Sequence, residues 1–390
     1  MNEKEEGEDI EDSLTKNTYN EKDIENKTGV KIYKSKDYNS LRDEYLEKFK
    51  KGTNKDLSFH KKRIYSMDWL DNNIGSILVT GSSDNSIKVW DMDKALNSSN
   101  KQNYNNTLSP LLSINPHNEP INKISSRNNN ENQFLSSFID KHIKFWDIRA
   151  NITNNNNKFT ICKPSYDKVL KEETKHLKFN NHGSQFAFMN KEGSTIFIYD
   201  FGKFEEIQQI NFKPQISDFI FNNNDDTIYA TSEDGNVYLV NTKINNSKKI
   251  CIQGSLFPLD SIDIDKKNEY FITGGNDGIL ITYSIEDLMS CKTYKRSDQG
   301  IRQVIYNYDD KIIASIYDGK NIDFFSTELD EHIYTIFTNN NQHFIKWDKK
   351  KNILGYISDE KKNEEIKDKK NESGKINNEG NAHFFILYNS

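Results

Sequence analysis

The sequence predicts an all-β chain folded as a closed ring of seven four-stranded blades. Three observations carry this. The stretch Gly81 to Asp91, GSSDNSIKVWD, reads as strand, tight turn, strand: Ile87 and Val89 point one way, Ser86, Lys88 and Trp90 the other. Its Trp-Asp position recurs in eroded form at Trp146-Asp147, Tyr199-Asp200, Val240-Asn241, Tyr283-Ser284, Phe325-Ser326 and Phe385-Ile386, at spacings of 56, 53, 41, 43, 42 and 60 residues. An acidic residue stands six or seven positions before each landmark: Asp84, Asp140, Glu192, Asp234, Asp277, Asp318 and Glu379. A repeat of roughly 40–45 residues holding four short strands is the period of a β-propeller blade.

The elements follow in chain order. Residues 1–36 are acidic, polar and poor in large apolar groups, which predicts a disordered tail. Residues 37–56 hold a short helix and a linker; Leu41, Tyr45 and Phe49 form one apolar stripe over 39–51, Asn39 or Ser40 caps it and Gly52 ends it. The helix reads either as edge packing or as a partner-binding element. The propeller occupies 57–390. Its first blade opens with Ile64 to Trp69 and Ile77 to Thr80. The fourth offers Ile216 to Phe221, the fifth Leu259 to Ile264, and the seventh Gln342 to Trp347, Ile353 to Tyr356 and His383 to Phe385. Too little chain follows Phe385 for a fourth strand, so Leu57 to Phe59 is expected to fill that place and remove the open edge. Low-complexity inserts at 95–108, 150–158 and 358–381 account for the longer spacings.

Composition narrows the function. Hydrophobic residues make up 34% and aromatic residues 12% of the chain, which suits thin alternating strands. No run of about 18 apolar residues is present, and the N-terminus has no apolar stretch, so neither a membrane span nor a signal peptide is expected. Cys162, Cys251 and Cys291 show no paired spacing and read as buried residues in a reducing compartment. Residues 1–30 carry ten acidic and four basic side chains, which accounts for the whole net charge of −6. A near-neutral body is a poor stand-alone nucleic-acid binder. Asn runs such as Asn128 to Asn130 read as compositional bias.

No catalytic, cofactor or metal constellation emerges. Gly274-Gly275 sits beside the turn residue Asp277 and opens no helix. His176 and His182 lack a third ligand and read as strand and turn residues. Asp263 and Asp265, two apart beside Asp260, are expected on one solvated strand face. His60 to Arg63, HKKR, reads as a solvated strand edge or as a nuclear import signal.

These residues resemble the WD-repeat family over roughly residues 57–390. In that family a His, a Ser or Thr, an Asp and the Trp form a hydrogen-bonded tetrad within a blade. The resemblance implies His60, Ser82, Asp84 and Trp90 for the first blade, and His117, Asp140 and Trp146 for the second, with Phe138 in the place of Ser82. The later blades lose the Trp in a particular order: KHLKFNNHGSQFAFMNKEG (Lys175 to Gly193), IEDLMSCKTYKRSDQGIRQV (Ile285 to Val304), NIDFFSTE (Asn321 to Glu328) and HIYTIFTNNNQHFIKWDKKKNILGYISDE (His332 to Glu360). That order resembles the propeller subunits of THO-type complexes. The resemblance implies a non-catalytic nuclear scaffold in messenger RNA packaging and export, docked on large helical subunits and linked indirectly to an RNA helicase and to RNA. It implies no cofactor, no membrane and no small-molecule substrate.

Two arginines are candidate partner contacts. Trp146-Asp147-Ile148-Arg149 matches the Trp-Asp-x-Arg signature of cullin-4 ubiquitin-ligase substrate receptors, in which Arg149 would reach an acidic groove; the other reading pairs Arg149 with a neighbouring turn. The first blade has Asp93 where a second copy of the signature would place Arg. Arg302 is a candidate for the mouth of the central channel in a peptide reader.

Overall fold

The computed structural model describes residues 35–71, 75–97, 109–115, 118–128, 132–149, 163–244, 248–358 and 380–386. The chain divides into two units, Met1–Tyr45 and Leu46–Ser390. In the first, the described residues are the start of a helix, Ser35–Lys51. That helix begins earlier than the expected Asn39; residues 1–34 of the expected tail lie outside the described residues, as do most of the three inserts.

The second unit contains seven four-stranded antiparallel sheets. Six of them take four consecutive strands. The seventh takes Gln342–Trp347, Ile353–Ser358 and Gly380–Ile386, and its fourth strand is Thr53–His60 from the other end of the unit. Thr53 pairs with Ile386 and Leu57 with Ala382, so the closing strand is longer than the expected Leu57 to Phe59 and absorbs the expected linker. Neighbouring inner strands lie against one another around the whole circuit, blade seven against blade one.

Burial follows position in the blade. Ile353–Ser358, a second strand, is buried at every position, whereas the outer strand Ile250–Gln253 is almost wholly exposed. The hydrophobic core lies between blades. Leu57, Ile64, Trp69, Trp90, Ile357 and Phe384 seal blade seven to blade one. In the next-but-one interface Phe186 of blade three stacks on Tyr199 and Phe188 on Phe197, packed with Leu135 and Ile143 of blade two. All seven landmark residues, from Trp90 to Phe385, are buried on third strands. Phe49 at the helix end stacks on Tyr334 with ring centroids 5.1 Å apart and lies 4.8 Å from Phe324. Gly52 follows; a Cβ there would stand 2.2 Å from the Phe385 ring, which fixes glycine at this crossing.

Two expectations are corrected here. Cys251 and Cys291 are exposed rather than buried, because both fall on outer strands (Ile250–Gln253 and Ser290–Lys295), which have only one neighbour. Cys162 lies outside the described residues. Asn128 is more than compositional bias: its Oδ1 accepts Lys349 Nζ at 2.7 Å. Turns at this end of neighbouring blades are laced by similar bonds. Asn181 donates to Asn222 O at 2.9 Å, and Asn223 to Asp265 O at 2.8 Å.

Candidate interaction sites on the propeller

The first blade holds a hydrogen-bonded relay, and its hydroxyl comes from Thr80, not from the expected Ser82. Trp90 Nε1 donates to Thr80 Oγ1 at 2.9 Å, Thr80 Oγ1 meets His60 Nε2 at 2.8 Å, and His60 Nδ1 donates to Asp84 at 3.1 Å. Thr80 and Ser82 point to the same face of a strand, but the register sets Thr80 opposite Lys88 and Trp90 opposite Leu78, within reach of each other. Ser82 instead fastens the turn, donating to Lys62 and Arg63 carbonyls at 2.9 Å and accepting the Asp84 N–H at 3.1 Å. The same shift by two holds in blade two, where Trp146 Nε1 donates to Ser136 Oγ at 2.8 Å, and not to a residue at Phe138. His117 lies outside the described residues.

The relay needs a neutral imidazole. With Nδ1–H on Asp84, Nε2 is the acceptor for the Thr80 hydroxyl, whose lone pair then takes the indole proton. Burial holds the His60 imidazole below its ordinary pKa, against the pull of Asp84. Burial pushes the Asp84 carboxyl up, but His60, Ser86 and the Lys61 N–H outweigh it and keep it well below the usual carboxylate range.

Arg149 folds back on its own blade. Its Nε and Nη2 donate to the two Asp147 carboxylate oxygens at 3.1 and 2.9 Å, and its backbone N–H adds a third bond at 3.0 Å. This bidentate fork saturates the carboxylate rather than leaving the guanidinium free for a partner. Arg302 stands at the second position of its inner strand and pairs with Asp318 of the same blade.

The channel wall is the feature that a linear reading of the sequence misses. Every inner strand carries a register shift after its first residue, at Ile64/Ser66, Ile121/Lys123, Thr174/His176 and so on to Gln342/Phe344. A bulge at one rung re-aims the residues after it. Several of those residues latch the next blade: Ile124 N–H donates to Ser66 Oγ at 3.0 Å, Val304 N–H to Ser261 Oγ at 3.1 Å, and Ile345 N–H to Gln303 Oε1 at 2.9 Å. Carboxylates do the same one turn of pleat further on. Asp68 accepts Ser126 N–H and Asp263 accepts Tyr306 N–H, each at 2.7 Å.

The expected solvated pair of Asp263 and Asp265 is therefore corrected. Asp263 serves as a latch on the channel wall, and burial pushes its carboxyl up to about 6. Asp265 lies just past the strand Leu259–Ile264, is buried, and accepts the Glu269 and Tyr270 N–H groups at 2.9 and 3.0 Å. His176 stands on the wall 3.5 Å from Asp218, and His182 sits in a turn against Asp225. Among the described residues no three His, Cys, Asp or Glu side chains converge as a metal set.

Seven closed antiparallel blades define a class: the described residues form a seven-bladed β-propeller, whose first two blades end on Trp-Asp and whose first holds a His-Thr-Trp relay. Residues 52–91 and 108–147 match the family described as WD domain, G-beta repeat. Beyond the class, the chain is similar to THO complex subunit 3 of Arabidopsis thaliana, 22% identical over 323 residues that cover 80% of this chain and 92% of that one. It is also similar to WD repeat-containing protein AAC3 of Dictyostelium discoideum, 24% identical over 274 residues, covering 67% of this chain and 54% of that one.

Proposed function

We propose that this chain is a non-catalytic scaffold subunit of a THO-type complex, acting in the nucleus in messenger RNA packaging and export. One observation carries the reading. The family repeat matches only residues 52–91 and 108–147, yet the likeness to THO complex subunit 3 covers 80% of the chain. Most of the aligned length therefore lies outside the two matched repeats. The partners are the large helical subunits of the complex, and through them an RNA helicase and RNA. The near-neutral body supports indirect RNA contact, since phosphate binding needs clustered cations.

Tagging the protein in its own cells and purifying it from nuclear extract tests this. Recovery of large helical subunits with an RNA helicase is expected; recovery of a ligase adaptor without them overturns the reading. The ligase alternative rests on Arg149, whose fork is already engaged by Asp147. Accordingly Arg149→Ala is expected to leave the recovered partners unchanged.

A further inference from the structure

The turn between blades four and five displays two apolar side chains that the fold leaves uncovered. Residues 254–258 join the outer strand Ile250–Gln253 to the inner strand Leu259–Ile264. Leu256 is 87% exposed, the most of any large hydrophobic side chain among the described residues, and Phe257 beside it is 54% exposed. The turn that carries them is fastened on both sides. The Gly254 and Ser255 N–H groups donate to Gly235 O at 3.1 and 2.9 Å. Ser255 Oγ donates to Asp277 at 2.8 Å and accepts the Phe257 N–H at 3.0 Å, and Pro258 O accepts the Asn276 N–H at 2.9 Å.

The next turn of the ring is built the same way without the apolar pair. In residues 296–300 the Gln299 N–H donates to Ser297 Oγ at 3.1 Å, and Gly300 O accepts the Asp318 N–H at 2.9 Å. A Cβ at Gly278 would run into the Ser297 and Gln299 carbonyls, as one at Gly235 would into those of Ser255 and Phe257. Asp298 and Gln299 therefore stand in the places of Leu256 and Phe257. The turn does not require apolar residues there, and leaving them in water gains nothing from burial. Apolar side chains held out on a preorganised turn lose little freedom when a partner covers them, which suits an interface anchor.

The surrounding charge is acidic. Glu233 and Asp234 precede Gly235, Asp277 holds Ser255, and Asp260 stands second on the inner strand. Among the described residues none of these four carboxylates forms an ion pair. Lys295 acts on Asp277, and Lys175 and Arg302 on Asp260, at longer range; Lys295 and Arg302 are themselves paired with Asp298 and Asp318. Burial first, and the charges of Asp318 and Glu233 after it, push the Asp260 carboxyl up.

We propose that Leu256 and Phe257 anchor a helical protein partner, seated in an apolar groove of that partner rimmed by lysine and arginine. The rim cations meet Glu233, Asp234 and Asp260 while the groove covers the apolar pair. An anionic lipid surface would set its headgroups against the same carboxylates, which disfavours it. The inference rests on the scaffold reading, which supplies the helical partner.

The test places p-benzoylphenylalanine at Phe257 of the tagged full chain, irradiates the cells and sequences the crosslinked peptide by mass spectrometry. A crosslink is expected to a segment with apolar residues at helical spacing, flanked by lysine or arginine. A crosslink to lipid, to a second copy of this chain or to an acidic segment overturns the proposal, as does the absence of a crosslink. A second protein, Leu256→Asp with Phe257→Gln, carries the pair that the next turn already has. It is expected to melt within ~2 °C of the wild type and to recover the crosslinked partner at least about tenfold less. Equal recovery overturns the proposal; a much lower melting temperature assigns the pair to the fold and overturns it too. The two readings fail separately. Wild-type purification without the helical subunits rejects the scaffold, while the crosslink still reports on the turn; helical subunits recovered equally by both proteins reject the anchor.

Discussion

At the scale of single residues, the relay of blade one separates polar atoms that stabilise from those that merely persist. Thr80 Oγ1 is buried between an indole donor and an imidazole acceptor. Thr80→Ala leaves Trp90 Nε1 and His60 Nε2 unsatisfied together, an expected loss of about 1–3 kcal/mol. Blade six offers the control. Ser315 occupies the same rung opposite Asp323, as Thr80 does opposite Lys88, but the landmark facing it is Phe325, which has no N–H. Ser315 Oγ is buried beside the Tyr317 hydroxyl, with neither an indole donor nor an imidazole acceptor to join. Ser315→Ala breaks no relay and is expected to cost less than Thr80→Ala, about 0.5 kcal/mol or below. Thermal melts of the two variants check the contrast; equal losses contradict it.

At the scale of elements, the closing strand holds the ring. Leu57 is fully buried in the cluster that joins blades seven and one, and Thr53–His60 covers an otherwise open edge. Leu57→Ala is expected to cost about 2–5 kcal/mol. Deleting residues 57–59 is expected to lower the melting temperature of the whole propeller in one transition. An unchanged melt, or a separate loss confined to a minor transition, contradicts the interdependence of first and last blades. The blade period was legible in the sequence because a buried aromatic or aliphatic landmark ends every third strand. The identity of the relay hydroxyl was not, because a period of two places Thr80 and Ser82 on one face and only strand pairing chooses between them. The channel wall was hidden for a related reason. The alternation pattern that pairs Asp263 with Asp265 ignores both the bulge after Leu259 and the strand end at Ile264. The charged residues at alternating inner-strand positions, Lys178, Asp218 and Lys346 among them, were the available signal.

At the scale of the whole molecule, two histidines, His60 buried and His176 part-buried on the channel wall, set a pH dependence. His60 and His176 both have folded pKa values below the ordinary 6.5; burial is the main cause in each, and for His176 it brings the value to about 3. As pH falls below about 6.5 the unfolded chain binds protons that the folded chain refuses, so stability is lost on acidification. Asp263 works in the opposite sense. Its folded pKa of about 6 lies above the ordinary value, so protonation between about 6 and 4 favours the folded chain. Burial also raises the Asp260, Asp265 and Asp310 carboxyls, which act in the same sense as Asp263. The contribution of His176 is therefore read as a difference between two proteins: from pH 7 to pH 5 the His176→Gln protein is expected to lose less melting temperature than the wild type. An equal change in the two proteins contradicts this assignment.

The scaffold claim concerns protein contacts, with RNA held at one remove. Its most direct test is to purify the tagged protein from nuclear extract with and without ribonuclease and compare the partners by mass spectrometry. The account predicts that large helical subunits and an RNA helicase are retained after ribonuclease treatment; loss of the helical subunits with the RNA would contradict it.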